Sequence, residues 1–167
     1  MVCGCLLCRR CGVRPQRSMG IKQTVSLRNR IAMACIGIAA IVEIIVGVVY
    51  FSASEVMPYH KEALGVAWSD LQPGVRTMLV GLMNAYGSTH FGVGVALGIL
   101  VLIPLRRGYT WARWAILAVG LPVLGATVYL ASRLAFSTGA RAPWGVSLVL
   151  LGLFLAGVAL AKPKRAT

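Results

Sequence analysis

The run IAMACIGIAAIVEIIVGVVYF, Ile31–Phe51, decides the fold. A bilayer core is crossed by roughly 20 consecutive apolar residues, with a range of about 17–25. This run meets that length and carries one acidic residue, Glu43, near its middle. A charged side chain at the centre of a membrane helix costs about 2.5–3.5 kcal/mol on insertion scales. Glu43 therefore needs a partner or a task.

The rest of the chain repeats the pattern. The 167 residues are 58% hydrophobic and 13% charged. A soluble domain is about 45–50% apolar and about 25% charged. Three further apolar runs follow, at residues 86–105, 111–131 and 144–161. The helix of the first of these, the second span, starts as early as Gly74 if the spacing of Val75, Met78, Leu79, Leu82, Met83 and Tyr86 is read as helical. The expected fold is all-α, a bundle of four transmembrane helices. Residues 1–30 form a basic, Cys-containing N-terminal segment, 31–161 the membrane domain and 162–167 a basic tail.

The net charge is +13. In a soluble chain that would suggest nucleic acid, but here the charges lie between apolar runs and no nucleic acid is implied. Residues 1–30, the Arg106–Arg113 connection and the tail hold 13 of the 17 Lys and Arg. Cytoplasmic loops carry such an excess. The expected topology is N-in and C-in, in a bacterial cytoplasmic membrane. Ile31–Phe51 is too long for a signal-peptide core and lacks a clear cleavage site. Tyr50, Tyr109, Trp111, Trp114 and Trp144 fall near span ends, as an interfacial aromatic belt would.

The outer connection, residues 52–85, is expected to be partly helical. Pro58 and Gly65 mark turns, Ser69 or Asp70 is a candidate helix cap, and Pro73 suits a first turn. Pro122 is expected to kink the third span.

Two stripes of mostly small residues point toward each other. Cys35, Ala39, Glu43 and Gly47 recur every four residues on the first span; Tyr86, His90, Gly94 and Gly98 do so on the second. Small residues let membrane helices approach closely, and Gly94-x-x-x-Gly98 is the familiar form of that device. At about 1.5 Å rise per residue, Glu43 lies about 20 Å above Arg30, while His90 and Tyr129 lie about 24 Å above Arg106 and Arg113. A Glu43–His90 contact is expected, with Tyr129 or Arg133 as a further partner and Asn84 and His60 above it. Histidine suits proton exchange at such a place, its unperturbed pKa being near neutral. The competing reading is a hydrogen-bonded packing pair.

Cys3, Cys5, Cys8 and Cys11 form C-x-C-x2-C-x2-C. Four thiolates are a metal-ligand set, but the spacing is compressed and no ligand His follows. Acylation is an alternative, and translation from Met19 would remove the cluster. No cofactor is implied.

The stretches Met57-Pro-Tyr-His-Lys-Glu-Ala-Leu-Gly, Asp70-Leu-Gln-Pro-Gly, Ile103-Pro-Leu-Arg-Arg-Gly and Trp111-Ala-Arg-Trp-Ala resemble an uncharacterised family of small bacterial four-helix integral membrane proteins. The resemblance covers about residues 30–160 and implies the span count and no catalytic residue. No Walker loop, H-E-x-x-H or G-x-S-x-G is present. The functional expectation is a non-enzymatic accessory or interaction subunit with a membrane-protein partner or a second copy. The alternative is a small proton-linked transporter or lipophilic-ligand binder using Glu43 and His90. An intramembrane enzyme built on His60, His90 and Glu43 is the third class, and lacks a nucleophile or metal triad.

Overall fold

Ile31–Phe51 is helical throughout, as its apolar run predicts, within α1, Leu27–Phe51. The computed structural model describes residues 27–161, and these are all-helical. After α1 come α2 (Pro58–Leu64), a 3-10 turn (Trp68–Asp70), α3 (Pro73–Leu100) with a π turn at Val101–Leu105, α4 (Thr110–Thr138) and α5 (Trp144–Leu160). The N-terminal cluster Cys3, Cys5, Cys8 and Cys11, together with Met19, lies outside the described residues.

Among the described residues three helices are long and apolar enough to cross a membrane: α1, α3 with its π turn, and α4. α5 is a shorter apolar helix of 17 residues. Large apolar side chains point outward along all of them, among them Ile41, Ile45, Leu102, Leu130 and Val149. A contiguous outward apolar surface marks a membrane or protein contact, since water solvates it poorly.

The helix ends differ from the sequence expectation in instructive ways. Pro58 opens α2 rather than merely marking a turn, because its fixed φ and missing N–H suit a first helical turn. Gly65, at φ 67°, closes it in the left-handed region that a side chain disfavours. Neither Ser69 nor Asp70 caps α3; the cap position is Gln72, and Ser69 Oγ donates instead to Asp70 Oδ1 at 3.1 Å. α3 begins at Pro73, and α4 runs seven residues past the expected end at 131 before Gly139 (φ 71°) donates its N–H to Ala135 O. α4 continues through Pro122. Pro104 sits inside the π turn. It has no N–H to give an α-helical ladder, and the wider turn lets Tyr109 N–H reach Pro104 O at 3.0 Å.

α1 packs on α3 and α5, and α4 packs on the same two, closing a ring of four helices. Glycines set the closest approaches. A Cβ on Gly47 would lie 2.4 Å from Phe91 N, one on Gly87 2.4 Å from Phe51 N, and one on Gly94 2.8 Å from Ala40 O. These contacts run in opposite directions along the two chains, so α1 and α3 are antiparallel. Gly98 meets nothing within 4 Å. The working pair is therefore Gly87 and Gly94, two turns apart, and not the Gly94–Gly98 motif the sequence advertises. On the other side of α1, Gly157 admits Ala32, Cys35 and Ile36, and Gly120 of α4 seats the Phe154 ring.

The bundle is filled at one end only. Ile36, Ala39, Leu97, Val101, Ile116, Leu124, Phe154 and Val158 form the apolar core at the end where α1 starts and α5 finishes. There Arg28 donates to the carbonyls of Leu160 at 2.9 Å and Ala159 at 3.3 Å, capping α5. At the opposite end, the Asn84 side-chain amide, oriented to donate, reaches the carbonyls of Tyr50, Phe51 and Ala53 at 3.1–3.2 Å and caps α1 in the same way.

Candidate functional site

Glu43 sits on the small-residue face of α1, with Ala39 and Gly47, and that face is buried. His90 sits on the facing side of α3, between Gly87 and Gly94. The close backbone approach at these glycines brings the two side chains together. His90 Nδ1 lies 2.5 Å from Glu43 Oε2, with the residues 1% and 2% exposed respectively. A buried hydrogen bond of this kind offsets part of the desolvation of both groups.

Tyr129 and Arg133 do not join the pair. Tyr129 is 57% exposed, and its hydroxyl accepts from Arg133 at 3.2 Å on the outer surface of α4. The α4 residue near the pair is Thr127. Its Oγ1 donates to Val123 O at 2.8 Å, stands 3.0 Å from Tyr86 Oη and 3.5 Å from His90 Nε2. One hydroxyl has one proton to give. With Val123 taking it, Tyr86 is the donor to Thr127. Helical phase explains the exchange of one α4 residue for another. Ile116, Gly120 and Leu124 are the buried face of α4, and Thr127 continues it while Tyr129 is turned about 200° away.

Above the pair the helices part around a cavity of about 640 Å³. α1, α3, α4 and α5 wall it, and Tyr59, His60, Ala63 and Leu64 of α2 line its far end. Its surface is mostly aliphatic: Val42, Val46, Leu79, Leu82, Leu130 and Leu150 are among the walls, with Glu43, His90 and Thr127 at the base. Tyr50, expected at an interface, turns inward instead. It hydrogen-bonds Tyr59 of α2 and packs against Tyr86 with ring centroids 5.3 Å apart. Tyr86 packs in turn on His90 at 4.2 Å. The four other aromatic residues expected at span ends, Tyr109, Trp111, Trp114 and Trp144, do face outward.

α2 is held over the cavity by polar ties. Lys61 pairs with Glu55 at 2.6 Å, and Glu62 Oε2 accepts from the Arg141 N–H at 3.0 Å. His60 packs on Tyr59 and, edge-on, on Tyr50. Its Nδ1 is buried and has no hydrogen-bond partner among the described residues. Burial holds the His60 pKa below its ordinary value of 6.5. The docked helix thus binds fewer protons than the released one, so docking is strongest at neutral pH and weakens as pH falls through 6.5 and below. Hydrogen exchange across 58–64, corrected for intrinsic rates, should quicken between about pH 7.5 and about pH 5, and His60→Gln should flatten that change. An equally steep change in the variant would show that another group is responsible.

Comparison with protein-family models, curated proteins and solved structures finds no match for this chain. Among the described residues no group of three or more His, Cys, Asp or Glu is placed to hold a metal ion. The site therefore rests on its own geometry: an apolar hollow with a buried acid–imidazole pair at its base and tyrosine hydroxyls along one side.

Proposed function

We propose that this chain is a four-span membrane protein with both ends on the cytoplasmic side, holding a lipophilic small molecule in the cavity beneath α2. The orientation follows the distribution of Lys and Arg, and α5, at about 25 Å, is just long enough for a fourth span. The resemblance to small bacterial four-helix membrane proteins is in keeping with this, and a bacterial cytoplasmic membrane is the proposed location. α2 and the cavity mouth then belong to the outer half of the bilayer.

One observation carries the functional part. A hollow of about 640 Å³ has aliphatic walls and buried polar groups gathered at one place. Small-molecule sites are of this kind, about 300–1,000 Å³, mostly apolar, with a few polar groups that fix orientation. This hollow is why ligand binding is preferred here to an accessory or interaction role, which neither requires nor forbids such a space.

The test is occupancy. Ala131 of α4 lines the cavity, so Ala131→Trp should fill it. Native mass spectrometry of gently purified protein should show a bound lipophilic mass on the wild type and little or none on Ala131→Trp. An unoccupied wild type that also takes up no added amphiphile would overturn the reading, as would equal occupancy of the two proteins.

A further inference from the structure

We propose that the occupant is a lipophilic amine, held by its ammonium group at Glu43. This inference rests on the cavity reading above and specifies its ligand. Three observations carry it.

The first is an unused acceptor. The hydrogen bond to His90 Nδ1 engages Glu43 Oε2, and Oε1 makes no hydrogen bond among the described residues. As a carboxylate, or with the shared proton on Oε2, Glu43 presents Oε1 as an acceptor to whatever stands in the cavity. Oε1 is not among the enclosed unpaired polar atoms of the described residues, so it stands open to the cavity, where a donor can reach it. The matching ligand group brings N–H or O–H donors.

The second is the sign of the charge. The chain has 17 Lys and Arg, and none of those among the described residues lines the cavity. Glu43 is the one acidic residue that does. His60 and His90 are the lining groups able to carry positive charge, and His90 is already engaged with Glu43 through Nδ1, so a carboxylate, phosphate or sulfonate headgroup would meet Glu43 and no Lys or Arg. An ammonium group would meet a carboxylate oxygen with three donors to offer.

The third is the ring lining. Tyr50, Tyr59 and Tyr86 flank the approach to Glu43, with Tyr50 and Tyr86 in mutual contact. Aromatic faces attract cations by about 0.5–2 kcal/mol, most strongly where water is excluded. The aliphatic walls formed by Leu79, Leu82 and Leu130 then cover the hydrocarbon part of the same molecule. His90 holds the carboxyl in place through Oε2 and leaves Oε1 free for the ligand.

The experiment compares 1-decanol, decylammonium and decanoate, which share one alkyl chain and differ in headgroup. Each is titrated at neutral pH into protein in neutral-lipid nanodiscs, and binding to Ala131→Trp is subtracted as bilayer background. Decylammonium should bind the wild type at least about tenfold more tightly than decanol, with decanoate weakest. In Glu43→Gln the preference for decylammonium over decanol should vanish while decanol binding remains. Equal binding of decylammonium and decanol by the wild type, or tightest binding of decanoate, would overturn the amine assignment and leave the lipophilic site standing. Failure of all three to bind above background would overturn both. The headgroup order in the wild type decides the matter even if Glu43→Gln does not fold.

Discussion

His90→Leu should lower the stability of the bundle by about 3–5 kcal/mol, the loss typical when one partner of a buried ion pair is removed. Glu43 has no other hydrogen-bond partner among the described residues, so its carboxyl would be left alone at the cavity base. Glu43→Gln keeps an acceptor and the side-chain shape, and its effect should be smaller, about 1–2 kcal/mol, in the range of hydrogen bonds between membrane helices. Glu55→Gln removes one end of an exposed pair with Lys61 and should change stability by about 0–1 kcal/mol. The double substitution Glu43→Leu with His90→Leu should cost less than the two single effects combined, because it leaves no polar group stranded. Denaturant titration of five variants, these four and single Glu43→Leu, in mixed micelles measures all of these. Equal tolerance of Glu43→Gln and Glu55→Gln would sink the idea that the buried pair matters.

The second large effect belongs to a glycine. Gly87→Leu should weaken α1–α3 packing by about 1–3 kcal/mol or more, the range for overpacked cores. The clash is with backbone, which cannot rotate aside: the new Cβ would lie 2.4 Å from Phe51 N and 2.8 Å from Gly47 O. Separating the helices would also pull His90 from Glu43, so the variant should lose ligand binding along with stability. Gly98→Ala is the control. It meets nothing within 4 Å and should be neutral, or stabilising by up to about 1 kcal/mol through helix propensity. If Gly98→Ala proves the more damaging of the two, the close approach has been placed wrongly.

Helix existence was legible from residue order because apolar runs of bilayer length have few alternatives, and all four runs are helical. The Glu43–His90 encounter was legible too, since small-residue periodicity gave the face and rise per residue gave the depth. Depth alone misled on α4. Tyr129 and Thr127 differ by about 3 Å in height and by about 200° in direction, so height admitted both and phase admits only Thr127. The Ile116–Gly120–Leu124 spacing held that phase. Gly94–Gly98 misled for a similar reason, since the packing line follows Gly87 and Gly94 at two turns rather than one. Tyr50 was placed at an interface by its position at a span end; its inward turn depends on α2, whose docking involves residues distant in sequence, such as Glu62 with Arg141. The cavity left no trace in the pattern, because a hollow and a filled core use the same aliphatic residues.

The half-filled bundle has a kinetic meaning. Phe154, Leu97, Ile116 and Ile36 plug one end of the barrel of helices, so the hollow has a floor. Nothing held there can leave through the packed end. For a ligand of the kind proposed, a hollow closed at that end is a berth rather than a corridor across the bundle.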